Sequence, residues 1–184
     1  MNQVRIIGGR WRRHCLKFSA GAGLRPTPDR VRETLFNWLG QDLTGLACLD
    51  LFAGSGALGF EAASRGASRV VMVEHSGKAV AALKENAQRL QAEAVELVGM
   101  DALKYLVSCM ASGADRFDVA FLDPPYRLGW LERLEPWLDR LLTPDAALYV
   151  EAEYPVTALG NWHPVRQGKA GQVYFHLLRQ ESSV

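Results

Sequence analysis

The chain has 184 residues, of which 48% are hydrophobic and 22% are charged, and its net charge is +1. This composition is ordinary for one globular domain with a core large enough to fold without disulfides. Three scattered cysteines without a C-x-x-C spacing exclude a disulfide framework, so we expect free thiols and a cytoplasmic protein. Neither a signal peptide nor a membrane span is indicated, and no membrane partner is expected.

The charge is unevenly distributed along the chain. Residues 1–35 contain eight Lys and Arg and only two acidic residues, a net charge of +6, whereas the remainder carries −5. A basic end on an acidic body favours a polyanionic partner at that end, and nucleic acid is the first candidate. The alternative is a solvated, arginine-rich surface without a partner.

The first predicted elements are two short strands and a helix. The stretch VRIIGGRWRRHCLKF alternates weakly and breaks at two glycines, which indicates two strands joined by a basic loop. Thr27 is a good N-cap and Pro28 suits the first helical position, so we expect a helix that ends at Gly40. Together these elements form a predicted N-terminal basic extension, residues 1–42.

From residue 46 onward, apolar strands alternate with amphipathic helices. Five strands are expected, in the segments LACLDLF, RVVMVE, AVELV, FDVAFLD and AALYVEA. Strands this apolar, separated by helices, indicate a parallel sheet covered on both faces. The segment WHPVRQGKAGQVYFHLLR then predicts an antiparallel C-terminal hairpin. The expected fold is α/β, a doubly wound and mostly parallel seven-stranded sheet formed by residues 43–184.

A glycine-rich loop joins the first of these strands to its helix. Gly54, Gly56 and Gly59 match G-x-G-x-x-G, a pattern that lets backbone amides approach a ligand closely. The next strand ends in Glu74, and an acid at this position suits the two ribose hydroxyls. The position of the loop between a strand and a helix therefore predicts a cofactor that contains a nucleoside.

Two cofactor classes use this layout, a dinucleotide and S-adenosylmethionine. Asp50 lies four residues before Gly54, where a carboxylate would repel a pyrophosphate and attract the ammonium and sulfonium of S-adenosylmethionine. Asp101 follows the third strand and is a candidate for binding the adenine amino group. It is also a candidate helix N-cap, and the two roles are compatible.

The segment FLDPPYRLGW places an acid and two prolines directly after the fourth strand. In a doubly wound sheet this strand and the strand before the glycine loop are expected to be neighbours where the strand order reverses. Asp123 and the carbonyl of Pro124 would then offer two acceptors to an exocyclic amine, and Tyr126 would offer a face for a base to stack on. The alternative is an ordinary proline-rich turn.

These motifs resemble those of a known protein class. D-x-F-x-G-x-G at 50–56 and D-P-P-Y at 123–126, together with Glu74 and Asp101, are similar to the class I S-adenosylmethionine-dependent amino-methyltransferases. More narrowly, RIIGGRWRRHCL, GLRPTPDRVRETLFNWL and LDLFAGSGALGFEAASRGA resemble the RsmD family over nearly the whole chain. Members of that family methylate N2 of one guanine in 16S ribosomal RNA of the small subunit. The resemblance implies S-adenosylmethionine as cofactor, 16S rRNA as partner and no metal, and we expect a monomer.

The resemblance also assigns roles by matched position. Asp123 and Pro124 would orient the guanine N2, and Tyr126 would stack on the base. The implied cofactor contacts are Asp50, Phe52, Ala53, Gly54, Ser55, Gly56, Glu74, His75, Asp101, Ala102 and Asp123. The implied RNA contacts are Arg10, Trp11, Arg12, Arg13, Arg25, Arg30 and Arg32. Trp11 has an equal alternative, since it could anchor the N-terminal strands instead of stacking on a base.

Three other functions are compatible with parts of this pattern. A methyltransferase acting on adenine N6 in DNA would use the same D-P-P-Y chemistry, but the chain has little room for a target-recognition segment. A dinucleotide-dependent oxidoreductase is disfavoured by Asp50, by the D-P-P-Y turn and by the C-terminal hairpin. A non-enzymatic RNA-binding protein is disfavoured because the acids and glycines of the pocket are intact.

Overall fold

The computed structural model describes residues 2–19, 26–113 and 116–181. Its N-terminal strands are β1 (Asn2–Arg5) and β2 (Cys15–Phe18). The helices are α1 (Asp29–Leu39), α2 (Ala57–Ser64), α3 (Gly77–Leu90), α4 (Ala102–Ser112) and α5 (Trp130–Leu141). The remaining strands are β3 (Ala47–Asp50), β4 (Arg69–Val73), β5 (Val95–Val98), β6 (Phe117–Leu122), β7 (Leu142–Ala152), β8 (Trp162–Ala170) and β9 (Val173–Gln180).

Strands β3 to β9 form one sheet in the order β5-β4-β3-β6-β7-β9-β8. The first five strands of this order are parallel, whereas β9 pairs antiparallel with both β7 and β8. The predicted mostly parallel seven-stranded sheet with an antiparallel C-terminal hairpin is thereby confirmed. The order reverses at β3, because β4 lies on one side of it and β6 on the other.

The two faces of the sheet carry separate hydrophobic clusters. Successive residues of a strand point to opposite faces, so Cys48 packs with α1, α2 and α3, whereas Leu49 packs with α4 and α5. The same alternation holds at Val70 and Val71 of β4. Both faces are therefore buried, which explains why these strands read as continuous apolar runs.

The N-terminal hairpin is the predicted pair of short strands. Val4 lies opposite Leu16 in the antiparallel register, and both side chains are buried in the cluster that also contains α2 and α3. Asn86 of α3 binds both backbone groups of Lys17, accepting from its N–H at 3.1 Å and donating to its carbonyl at 2.7 Å. The hairpin thus shares its core with the sheet domain. The domain boundary after residue 42 stays a prediction.

Helix α1 begins differently from the prediction. Its N-cap is Pro28, the first helical residue is Asp29, and no side chain caps the helix. The Thr27 hydroxyl instead donates to Glu151 at 2.8 Å. Thr27 therefore forms a long-range contact with β7, and the N-cap prediction for it was wrong. Gly40 does end the helix in a left-handed conformation, as expected.

Within the residues that the structure describes, no helix is both long enough and apolar enough to cross a membrane.

Candidate active site

The glycine loop and the D-P-P-Y turn follow two adjacent parallel strands. Asp50 of β3 lies opposite Phe121 of β6, and the N–H of Leu51 donates to the Phe121 carbonyl at 3.2 Å. Both segments therefore leave the sheet at its carboxyl edge, where the strand order reverses. The predicted adjacency of these two strands is confirmed, and ligands of doubly wound sheets bind at this place.

The glycines of the loop are needed for its shape and packing. Gly56 is the N-cap of α2 with φ of 81°, and a Cβ there would lie 2.6 Å from Leu83 and 2.7 Å from Phe60. A Cβ on Gly59 would lie 2.8 Å from Met72 of β4. Gly56 therefore permits a left-handed turn, whereas Gly59 lets α2 approach the sheet closely.

Glu74 ties the glycine loop to the end of β4. Its two carboxylate oxygens accept from the Gly54 N–H at 2.9 Å and from the Ser76 N–H at 2.8 Å. Glu74 is buried, while the neighbouring His75 is exposed and its Nδ1 lies 3.3 Å from Glu74 Oε1. Each carboxylate oxygen keeps a second acceptor position, so the predicted ribose contact is compatible with these hydrogen bonds.

Asp50 is buried at the end of β3 and accepts from the Gly59 N–H at 3.0 Å. Because Gly56 has no side chain, Asp50 supplies the acceptor that a capping residue would give to the first turn of α2. Burial raises the pKa of Asp50 to about 7, and the nearby Glu74 and Glu151 add to the shift. A cation placed here would be stabilised by a carboxylate that has few other partners.

Asp101 is the N-cap of α4, as its position predicted. Its Oδ1 accepts from the N–H of Leu103 at 2.9 Å and from that of Lys104 at 3.3 Å. Ala102 is the first residue of the helix and is buried. The adenine contacts of these two residues stay predictions.

The D-P-P-Y turn borders a cleft of about 200 Å³ between the β6–α5 connection and the end of β7. Pro124 is buried, whereas the Tyr126 side chain is 41% exposed and lines the cleft. The segment after the turn is held by Glu153, which accepts from the Arg127 N–H at 3.0 Å. Tyr126 is therefore free to contact a ligand that enters the cleft.

Asp123 has a carboxylic neighbour that the sequence reasoning missed. Leu122 pairs with Val150, so Asp123 comes beside Glu151 at the carboxyl ends of β6 and β7. Burial, followed by the charges of Glu151 and Asp50, raises the pKa of Asp123 well above its usual range. The sequence did contain a signal for Glu151, because the predicted buried strand AALYVEA carries this one charged residue next to its end.

The basic residues predicted to contact RNA differ in their exposure. Arg10, Arg12, Arg13 and Arg30 are exposed, whereas Arg25 lies outside the described residues. Trp11 is buried in the core cluster with Arg10 stacked over its ring at 4.4 Å. This burial favours the predicted anchoring of the N-terminal strands by Trp11, and its base-stacking role stays a prediction.

Arg32 is also buried, and the RNA contact predicted for it is corrected. Its guanidinium binds Asp29 at 2.6 Å and Glu61 at 3.2 Å, and it donates to the Thr27 and Arg5 carbonyls. All of its nitrogens therefore have protein partners. Arg32 joins α1, α2 and the N-terminal hairpin, and none of its surface is left for a phosphate.

The basic loop between β1 and β2 contacts the end of α2 that lies opposite to the glycine loop. The N–H of Arg10 donates to the carbonyl of Ser64, the last residue of α2, at 2.8 Å. The glycine loop lies at the other end of this helix, about 12 Å away. The structure therefore separates Arg10, Arg12 and Arg13 from the site residues.

The chain matches the family described as Conserved hypothetical protein 95 over residues 4–179. Ribosomal RNA small subunit methyltransferase D of Escherichia coli K12 is 40% identical to it, across 98% of this chain and 91% of that protein. The chain belongs to the RsmD family. The solved structure of Escherichia coli yhhF, described provisionally as a methyltransferase, is 41% identical with a TM-score of 0.86, covering 99% of this chain and 100% of that one.

A more distant structure shares the fold of this RsmD family member. It is an RNA methyltransferase from Salinibacter ruber in complex with S-adenosyl-L-homocysteine, 22% identical with a TM-score of 0.66, covering 87% of this chain and 97% of that one. In the described part of the RsmD family chain, no group of three or more His, Cys, Asp or Glu is arranged to hold a metal ion.

Proposed function

We propose that this protein transfers a methyl group from S-adenosylmethionine to the exocyclic N2 amine of a specific guanine in 16S rRNA of the small ribosomal subunit. The observation that carries the proposal is the parallel pairing of β3 with β6, which brings the glycine loop beside the D-P-P-Y turn. Membership of the RsmD family supports rRNA methylation, because relatives covering nearly the whole chain are named for that activity.

The residues around the glycine loop fit a cationic methyl donor. Asp50 offers a buried carboxylate for the donor's ammonium, and Glu74 offers acceptors for its ribose. Glycine at position 56 allows the left-handed turn of the loop, where a Cβ would clash with Leu83 and Phe60. S-adenosylmethionine supplies a methyl group bonded to a positively charged sulfur, and the acidic edge of the sheet stabilises that charge.

The D-P-P-Y turn would hold the acceptor amine. Asp123 and the Pro124 carbonyl would accept the two N–H hydrogens of guanine N2 and aim its lone pair, while Tyr126 stacks on the base. The new N–C bond forms as the C–S bond breaks, and the electron pair of that bond stays on sulfur. The proton lost from nitrogen passes to the carboxyl group of Asp123. Orientation supplies most of the rate enhancement.

The exposed arginines of residues 1–42 would bind RNA phosphates. Arg10, Arg12 and Arg13 lie at the end of α2 opposite to the glycine loop, so an RNA that also reaches Asp123 would span the length of that helix. This arrangement favours a structured substrate that covers a broad surface over a short single strand.

The proposal is tested with small subunits that lack the modification and a labelled methyl donor. Wild-type protein should place the label on N2 of one guanine, mapped by mass spectrometry, and Asp123→Ala should lower the rate about 100-fold or more. Asp145→Ala removes an exposed acid elsewhere and should retain full activity. Label on adenine, on many guanines or on no nucleotide would contradict the proposed target, and full activity of Asp123→Ala would contradict the assigned role.

A further inference from the structure

Glu151 lies at the carboxyl end of β7, next to the D-P-P-Y turn, and it is only 5% exposed. The register of β6 and β7 brings it beside Asp123, as described above. A buried carboxyl group is costly unless it is hydrogen-bonded, so its position next to another acid needs a physical explanation. Glu151 takes no part in the proposed contacts with the methyl donor or with the target amine.

The hydrogen bonds of Glu151 leave one of its oxygens for Asp123. The hydroxyls of Thr27 and Tyr149 both donate to Glu151 Oε1, at 2.8 Å and 2.9 Å. The carboxyl groups of Glu151 and Asp123 are within hydrogen-bonding reach of each other, and burial raises the pKa of both. Glu151 is buried and Asp123 is half-buried. Two carboxylates so close together do not both ionise readily, and this favours one proton shared by the pair.

We propose that Glu151 is a positioning residue that fixes Asp123 through this shared proton, so that Asp123 presents an acceptor oxygen to the target amine. The inference rests on the function proposed above. Thr27 and Tyr149 hold Glu151 from the other side, and the rigid Pro124 follows Asp123 directly. The orientation of the catalytic acceptor is thus set by residues of β7 and of the segment before α1.

The shared proton also explains how Asp123, beside a second acid, can accept hydrogens from an amine. With one proton on the pair, one carboxyl group is neutral and donates, while the other keeps its negative charge. When the N–C bond forms and the C–S bond breaks, the amine proton moves to Asp123 and sulfur keeps the electron pair. The pair then holds two protons and returns to its starting state by losing one to solvent.

The groups around Glu151 and Asp123 determine how the pair responds to a rise in pH. Asp50 of β3 contributes negative charge, while Tyr126 of the turn, Tyr149 of β7 and Thr27 are neutral at ordinary pH. Raising the pH removes the shared proton and leaves two adjacent negative charges that repel each other. The wild-type enzyme should therefore lose activity on the alkaline side as Asp123 is released from its position.

Two substitutions separate this role from a general contribution to folding. Glu151→Gln keeps an oxygen for Thr27 and Tyr149 and places an amide N–H where the shared proton was, whereas Glu151→Ala removes both functions. Glu96→Gln, at an exposed acid on β5, is the matched control. Thermal unfolding and binding of S-adenosylhomocysteine are measured for each variant, so that a misfolded protein is recognised.

For Glu151→Ala we expect kcat to fall about 100-fold with the KM for the methyl donor changed less than about threefold. Glu151→Gln should keep kcat within about tenfold of wild type but lose the alkaline decline, because an amide does not ionise. Glu96→Gln should match wild type. The proposal is overturned if folded Glu151→Ala retains wild-type kcat, or if Glu151→Gln and wild type show the same alkaline decline.

Infrared spectroscopy of the protein without substrate tests the shared proton independently of the methylation reaction. At about pH 8, above the pKa of about 7 of Asp50, the wild type should show a carboxylic acid carbonyl band that Glu151→Gln lacks. Absence of the band would refute the shared proton even if guanine methylation is confirmed. Presence of the band in an enzyme that methylates another base would leave the pair intact and reject only the target.

Discussion

Replacing Asp50 with asparagine should stabilise the protein at alkaline pH and weaken binding of the methyl donor. Asparagine keeps a side-chain oxygen to accept from the Gly59 N–H, but it does not ionise. In the wild type the folded-state pKa is raised from 3.8 to about 7, mainly by burial. Ionisation of Asp50 is therefore more costly in the folded than in the unfolded protein.

The size of the effect follows from this shift. A rise of about three pKa units corresponds to about 4 kcal/mol, because each unit is worth about 1.4 kcal/mol. A group with a raised folded-state pKa gives its full stabilisation below its unfolded pKa and loses it as the pH rises through the folded pKa. Asp50→Asn should thus exceed wild type in unfolding free energy by about 4 kcal/mol at about pH 8, and by about 2 kcal/mol at about pH 5.

Urea unfolding of both proteins at the two pH values measures this difference, provided that the m-value stays unchanged. Calorimetry with S-adenosylhomocysteine, which keeps the donor's amino group, should give at least about tenfold weaker binding for Asp50→Asn. A stability difference that is the same at both pH values would refute the assigned ionisation of Asp50. Unchanged affinity would refute its contact with the ammonium.

Two further predictions concern the N-terminal hairpin. Gly9→Ala should lower the unfolding free energy by more than about 2 kcal/mol, because φ is 73° and a Cβ would lie 1.9 Å from the Ser64 carbonyl oxygen. The control is Gly40→Ala, where φ is also positive but the space around a Cβ is open, and it should cost only about 1 kcal/mol. Thermal or urea unfolding measures both costs. Equal losses of unfolding free energy in the two variants would show that the contact between Gly9 and Ser64 does not restrict the side chain at position 9. Replacing Arg12 and Arg13 with alanine should reduce the slope of log affinity for small-subunit RNA against log salt by about two, whereas the exposed Arg166→Ala should leave it unchanged. An unaltered slope in the double variant would mean that the loop does not bind phosphate.

The sheet could be predicted because its strands are buried on both faces. Such strands appear as short apolar runs, and the intervening helices show an apolar stripe, so their alternation indicates a doubly wound fold without further information. The position of the site followed from the same topology, since Asp50 and Asp123 end two strands that flank the reversal of strand order. These features depend on local patterns and on a general rule of α/β folds.

The contacts of Glu151 could not be read from the sequence. They join Thr27 and Asp123 to a strand end far along the chain, and they depend on which strands are neighbours and on their register. The local signal at Thr27 was misleading, because threonine before a Pro-Asp pair is a good N-cap by itself. In this structure its hydroxyl is used by a tertiary contact, and the helix begins without a side-chain cap.

The failure at Arg32 has a different physical cause. A count of charges treats every arginine as solvated, whereas a guanidinium with five donors can be buried if each finds an acceptor. Arg32 comes close to this condition, since four of its five N–H groups donate, to Asp29, Glu61 and two backbone carbonyls. Part of the basic character of residues 1–35 is therefore neutralised inside the protein, and the surface available to RNA is smaller than the net charge suggests.

Glu61 and Glu151 together explain how the N-terminal segment is fixed to the sheet domain. Glu61 of α2 accepts from the N–H groups of Ile7 and Gly8 at 3.0 Å and 2.7 Å, which holds the loop that follows β1. Glu151 accepts from Thr27 at the carboxyl edge of the sheet. A segment bound at both places cannot move as a separate module without breaking buried charged hydrogen bonds, which cost more than neutral ones. Movement of the N-terminal segment would therefore disturb Glu151 and, through it, the position of Asp123.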